Sequence, residues 1–148
     1  MGDIANILKR AISDVVERMC FLLPDPEDEA SSVDCGDCVQ AAIGITGKPR
    51  LRITIKVDGD LARLMASNAL GAEEIEIDER KIEHFLLETA NVIGGKFLLV
   101  WDGAAGRDLT IPSPEADRVF GPIEACATTS IVLHYERKRF SGIIEEVQ

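Results

Sequence analysis

Basic residues are in deficit along this 148-residue chain: 16 Lys and Arg stand against 26 Asp and Glu, a formal net charge of -10. Nucleic acid and anionic membranes reward clustered Lys and Arg, so neither is expected as a partner. Long apolar runs are missing too. No stretch reaches the length of a membrane span, and the amino-terminal Met1-Gly2-Asp3-Ile4 does not read as a signal peptide, so the cytoplasm is the expected location. Cysteine is sparse: Cys20, Cys35, Cys38 and Cys126 include a single C-x-x-C, Cys35-Gly36-Asp37-Cys38, without the second pair a structural zinc site needs. A redox C-x-x-C sits at the mouth of a strand-helix unit, whereas this one leads into a strand, and ordinary reduced thiols are expected. The two histidines, His84 and His134, share no ligand set, and no metal site or cofactor is expected in the chain.

What is present describes a single domain over residues 1–148, long enough to bury about two thirds of its unfolded surface. Ile4, Ile7, Leu8, Ala11, Val15, Met19 and Leu22 recur at helical spacing, predicting a first amphipathic helix from about Asp3 to Leu22, closed by Pro24 and Pro26. The acidic stretch Asp25 to Asp34 reads as a solvated loop. Val39, Ala41, Ile43 and Ile45 then alternate with Gln40, Ala42, Gly44 and Thr46. Past Gly47-Lys48-Pro49 the same alternation runs through Leu51, Ile53, Ile55 and Val57, predicting a β-hairpin with one face on a core. A second helix is expected over Leu61 to Leu70, with Asp60 as N-cap and Gly71 as stop. The third begins at the N-cap Asp78, with Ile77 and Ile82 spaced as a hydrophobic staple. Strands are expected at Asp108 to Ile111, Val119 to Ala127, Ser130 to Arg137 and Ser141 to Val147. Helices grouped ahead of late strands predict an α+β fold, an antiparallel sheet with helices packed on one face.

The third helix carries the chemistry. At about 100° per residue, Ile82, Leu86, Thr89, Ile93 and Phe97 point one way, while His84, Glu88, Asn91 and Gly95 cluster roughly opposite. A Glu-x-x-Asn spacing occurs by chance in roughly a third of chains this long, so the helical context gives the pair its meaning. An amide neither gains nor loses a proton near neutral pH, so Asn91 can orient a water or a substrate oxygen but cannot act as a general base. That suits a reaction limited by positioning, such as attack of water on a phosphoryl group through a loose transition state. Glu88 would anchor a cationic side chain of a partner. Gly95, without a Cβ, lets a partner backbone come close. Leu87 and Leu98 add apolar contact beside Asn91, and His84 tunes the local charge. The Gly94-Gly95 pair weakens a helix by about 1 kcal/mol per Gly relative to Ala, so something other than helix stability favours glycine there.

A leading helix with Val16-Glu17-Arg18-Met19, a hairpin ending Arg52-Ile53-Thr54-Ile55, then Leu61-Ala62-Arg63-Leu64-Met65-Ala66 with Leu70-Gly71, then Glu88-Thr89-Ala90-Asn91-Val92-Ile93-Gly94-Gly95 together resemble the CheX-type chemotaxis phosphatases. These belong with the CheC and FliY proteins. The resemblance spans about Ile4 to Tyr135 and is most specific at Glu-x-x-Asn-x-x-x-Gly, matched by Glu88, Asn91 and Gly95. It implies that Glu88 contacts a lysine of a phosphorylated CheY-like response regulator and that Asn91 places the water that hydrolyses its aspartyl phosphate. CheC relatives carry the motif on two helices; here it occurs once, as in the CheX type, whose members usually work as homodimers joined through their sheets. Where the family commonly has Asp or Ser four residues before the Glu, this chain has His84. The magnesium such a reaction needs is expected on the receiver's own acidic residues. Two other functions carry the same surface without hydrolysis: a module that binds a response regulator, and a structural part of a chemosensory or flagellar-switch assembly.

Overall fold

A computed structural model of the chain describes residues 4–26, 37–114 and 128–147. Helix α1 (Ile4–Cys20) leads into the hairpin of β1 (Cys38–Ile45) and β2 (Arg50–Asp58). Helix α2 (Gly59–Leu70), a short 3-10 turn at Glu74–Glu76 and the long helix α3 (Glu79–Val100) follow, and β3 (Thr128–Tyr135) and β4 (Lys138–Val147) complete the chain. The strands form one sheet in the order β1-β2-β4-β3 with every neighbouring pair antiparallel. This is the expected α+β architecture.

Alternation in the strands dictates which side of the sheet is dry. Ile43 lies opposite Ile53 and Ile53 opposite Ile144, so all three share a face, and all are buried. The helices cover that face, α3 against β1 and α1 against β3 and β4. Gly142 permits the closest approach, since a Cβ there would stand 2.6 Å from Cδ1 of Ile12 on α1. On the opposite face Arg52, 2% exposed, sits directly across from Glu145 and donates to its carboxylate at 2.6 Å.

Several element ends differ from the sequence expectation. The carboxylate that caps α2 belongs to Asp58, which accepts from the backbone N–H of Asp60 at 2.9 Å and of Leu61 at 3.2 Å, so the helix opens at Gly59, ahead of the expected Asp60 cap. Gly71 ends it in the left-handed conformation, φ 65°, as expected. Residues 108–113 run along the outer edge of β1 as isolated bridges, Ala42 with Ser113 and Ile45 with Leu109, in place of the full strand expected at Asp108 to Ile111. The reason is visible in the ladder: the N–H of Gly44 is taken by the Thr110 hydroxyl at 2.9 Å, and Pro112 has no N–H to give. Cys38, the first residue of β1, is disulfide-bonded, which corrects the expectation of ordinary thiols for that residue; the missing second pair spoke only against zinc, and the lead into a strand only against redox chemistry. Cys20 is a free, buried thiol. The expected strand at Val119 to Ala127, and most of the loop expected over Asp25 to Asp34, lie outside the described residues. No helix among the described residues is long and apolar enough to cross a membrane.

Candidate functional site

Helix α3 is fixed at both ends before it displays anything. At its start Asp78 accepts from the N–H of Lys81 at 2.8 Å, and Ile77 and Ile82 are both buried as a staple requires. Arg63 of α2 donates to the Ile77 carbonyl and, at 3.4 Å, to that of Glu74, tying the approach segment to α2. At its end Trp101 packs its ring against Phe97 with centroids 5.4 Å apart. Arg107 lies 4.9 Å over the Trp101 ring and donates to the carbonyls of Lys48 at 3.0 Å and Pro49 at 2.5 Å, clamping the exit of α3 to the β1-β2 turn.

Between these clamps one face is buried along its length: Ile82, Phe85, Leu86, Thr89, Ala90, Ile93, Gly94 and Phe97. The stripe read from the sequence is among them. Thr89, 1% exposed, satisfies its hydroxyl by donating to the Phe85 carbonyl at 2.7 Å, so a polar residue sits in the core at little cost. The helix cannot roll without lifting this face off the sheet, and the orientation of the other face is thereby set.

His84, Glu88 and Asn91 are all exposed on that other face. Leu87, Gly95 and Leu98 are half-buried, with Leu87 and Leu98 leaning on the core. The structure thus places the six sequence-derived site residues on one helix, with the carboxylate and the carboxamide one turn apart in solvent. The two adjacent glycines separate clearly. A Cβ on Gly94 would stand 3.0 Å from Cδ2 of Leu109 and 3.3 Å from Cγ2 of Ile43, so packing asks for glycine there. A Cβ on Gly95 would meet nothing within 4 Å. Nothing inside the described fold asks for glycine at 95.

Sequence reasoning passed over two residues on the same helix. Leu99 is 84% exposed and Val92 39%, both more open than Leu87 and Leu98. Their i, i+7 spacing is the signal that could have found them. Among the described residues no group of three or more His, Cys, Asp or Glu is placed to hold a metal ion. An exposed Glu and Asn on a rigid helix can grip a cationic group and orient a water or a substrate oxygen of another molecule; the arrangement is a presented surface and not an enclosed pocket.

The family model described as chemotaxis phosphatase CheX matches residues 39–118. No match is found among curated proteins. Among solved structures, the chain is similar to a chemotaxis protein CheX from Desulfovibrio desulfuricans, at 18% identity over 97% of this chain and 99% of that one, with a TM-score of 0.73. It is similar to a chain of the CheX-CheY-BeF3-Mg complex from Borrelia burgdorferi, at 18% identity over 97% of each chain and a TM-score of 0.66. The FliM middle domain from H. pylori is also similar, at 11% identity over 98% of this chain and 88% of that one, with a TM-score of 0.56. At such identities the likeness shows the fold.

Proposed function

Because the chain belongs to the CheX family of chemotaxis phosphatases, we propose that it removes the phosphoryl group from a CheY-like receiver domain docked on α3. The observation that carries the proposal is the pairing of Glu88 and Asn91, exposed one turn apart on a helix whose opposite face is locked into the core. The Borrelia burgdorferi relative was captured with CheY, BeF3 and magnesium, and beryllium trifluoride stands in for a phosphoryl group; that supports a phosphorylated receiver as this chain's partner as well.

In this reading Asn91 enters the receiver's phosphorylation site and holds a water in line with the phosphorus, its amide donating to one oxygen and accepting from the water. Glu88 pairs with a receiver lysine and sets the register of docking. Magnesium rides on the receiver's own carboxylates and neutralises the phosphoryl oxygens, so this chain supplies geometry and the receiver supplies the metal. His84 modulates charge at the rim, and the protein works in the cytoplasm as a homodimer.

The test is phosphate release from phosphorylated receivers of the same genome, with wild type and with Asn91→Ala. The variant is expected to bind yet lose acceleration worth more than about 2 kcal/mol in barrier terms. A second reading, a binding or structural module without hydrolysis, is favoured by the fold likeness to the FliM middle domain. Wild type that binds a receiver without accelerating decay, or that only self-associates, would establish it.

A further inference from the structure

Beside the Glu88-Asn91 face a groove of about 300 Å³ runs between α1 and α3. Met19 lines it from α1 and Val92, Gly95 and Leu99 from α3, with Arg18 and Lys96 on its rim. Residues 88, 92, 95 and 99 follow the i, i+4 and i+3 steps that place side chains in one line along a helix, so the groove continues directly from Glu88. Its wall is interrupted at Gly95, where the bare backbone opens onto empty space. Leu99, at 84% exposure, stands at the far end, 11 residues and therefore about 16 Å from Glu88 along the axis.

The groove is cationic on balance. In a chain of net charge -10, its rim holds two cations and a single acid, Asp14, which pairs with Lys96 at a long 3.7 Å with both side chains partly in water. Such a pair holds its lysine weakly, and Arg18 is exposed. An apolar trough with a cationic rim is complementary to an apolar side chain flanked by carboxylates.

We infer that this α1-α3 groove is the second half of the docking surface and takes an apolar side chain of the receiver, flanked by acidic residues, over Gly95 and against Leu99. The inference rests on the phosphatase reading above. A single inserted amide is a small contact; a second anchor about 12 Å from Asn91 along the helix adds binding energy away from the phosphorus, which lowers KM without touching the chemical step. The groove therefore selects among receivers that share the same phosphorylation chemistry.

The test compares wild type, Leu99→Asp and Arg18→Glu in steady-state dephosphorylation of receivers from the same genome loaded by a small acyl phosphate, together with binding to the same receivers carrying BeF3 and magnesium. Both variants are expected to raise KM about tenfold or more with kcat held within about twofold, and the Arg18→Glu effect shrinks at high salt. Unchanged KM in both variants, with wild type active, overturns the groove and leaves the phosphatase reading standing. If wild type binds without accelerating decay, that reading fails, and the groove is judged by Kd: weakened binding in the variants upholds it, unchanged binding overturns it. If wild type binds no receiver and Leu99→Asp turns a dimer into a monomer, the groove is a contact between copies and the inference is wrong.

Discussion

Gly94 and Gly95 are identical neighbours in opposite surroundings, and the difference separates folding from function at single-residue resolution. Gly94 makes room for Leu109 and Ile43; Gly95 makes room for nothing in the described fold. Replacing Gly95 by Ala should therefore stabilise the chain by up to about 1 kcal/mol through helix propensity, read as a higher midpoint in urea. The same change should weaken receiver binding, because it fills the open spot beside Asn91. Gly94→Leu should do the reverse at the level of stability, forcing side-chain atoms into Leu109 and lowering the midpoint. Gly95→Ala that leaves receiver binding unchanged would remove glycine from the docking surface.

At the scale of elements, the β3-β4 hairpin turns on a conformation its sequence does not favour. Glu136 and Arg137 both have positive φ, 50° and 66°, where Asn-Gly would be the easy choice. Asp25, on the segment leaving α1, offsets this: its two carboxylate oxygens accept from the N–H of Glu136 at 3.2 Å and of Arg137 at 2.7 Å, while its own N–H donates to the His134 carbonyl at 2.7 Å. Asp25→Ala should cost about 1 to 2 kcal/mol in urea unfolding, and Arg137→Gly should recover about 1 kcal/mol by relieving the left-handed strain. The β2-β4 pairing carries a comparable device in the buried Arg52 facing Glu145. Arg52→Met leaves a partly buried carboxylate without this cation and should cost about 3 kcal/mol; a loss within experimental error would show that the strand register stands without the pair.

For the molecule as a whole, alkaline pH is the condition that reports on the core. Burial pushes the Cys20 thiol up to about 12 from an ordinary value near 9. The phenol of Tyr135 is raised too, by burial first and then by the nearby charges of Cys20, Asp25 and Glu17. The sign follows directly: the folded chain holds these protons more tightly than the unfolded one, so the stabilisation is complete below about pH 9 and is lost as pH climbs from there toward 12. Urea midpoints should fall over that window, and less steeply in Cys20→Ala. The native Cys20 thiol should also resist alkylation until the chain is unfolded.

Whole-molecule architecture was legible where a period reached the core. Ile82, Leu86, Thr89, Ile93 and Phe97 announced which side of α3 is buried, and by subtraction which side shows Glu88 and Asn91. Local competition was harder to see. Two aspartates within three residues, Asp58 and Asp60, are equally good caps on paper, and only the backbone path chooses Asp58. The edge segment 108–113 alternates like a strand, yet Thr110 and Pro112 break its ladder. Leu99 escaped notice because an exposed leucine looks like any core leucine until the helix is docked, and the disulfide at Cys38 depends on distances that spacing does not encode.

The central claim is that Asn91 steers a water and moves no proton, and single-turnover decay of a phosphorylated receiver at saturating protein tests it most directly. Asn91→Ala and Asn91→Asp should both bring the decay rate down to that of the receiver alone while still binding, because neither offers a donor and an acceptor together. Decay as fast as wild type in the alanine variant, or faster than wild type in the aspartate variant, would contradict the claim, the first by removing Asn91 from the reaction and the second by making a base the missing ingredient.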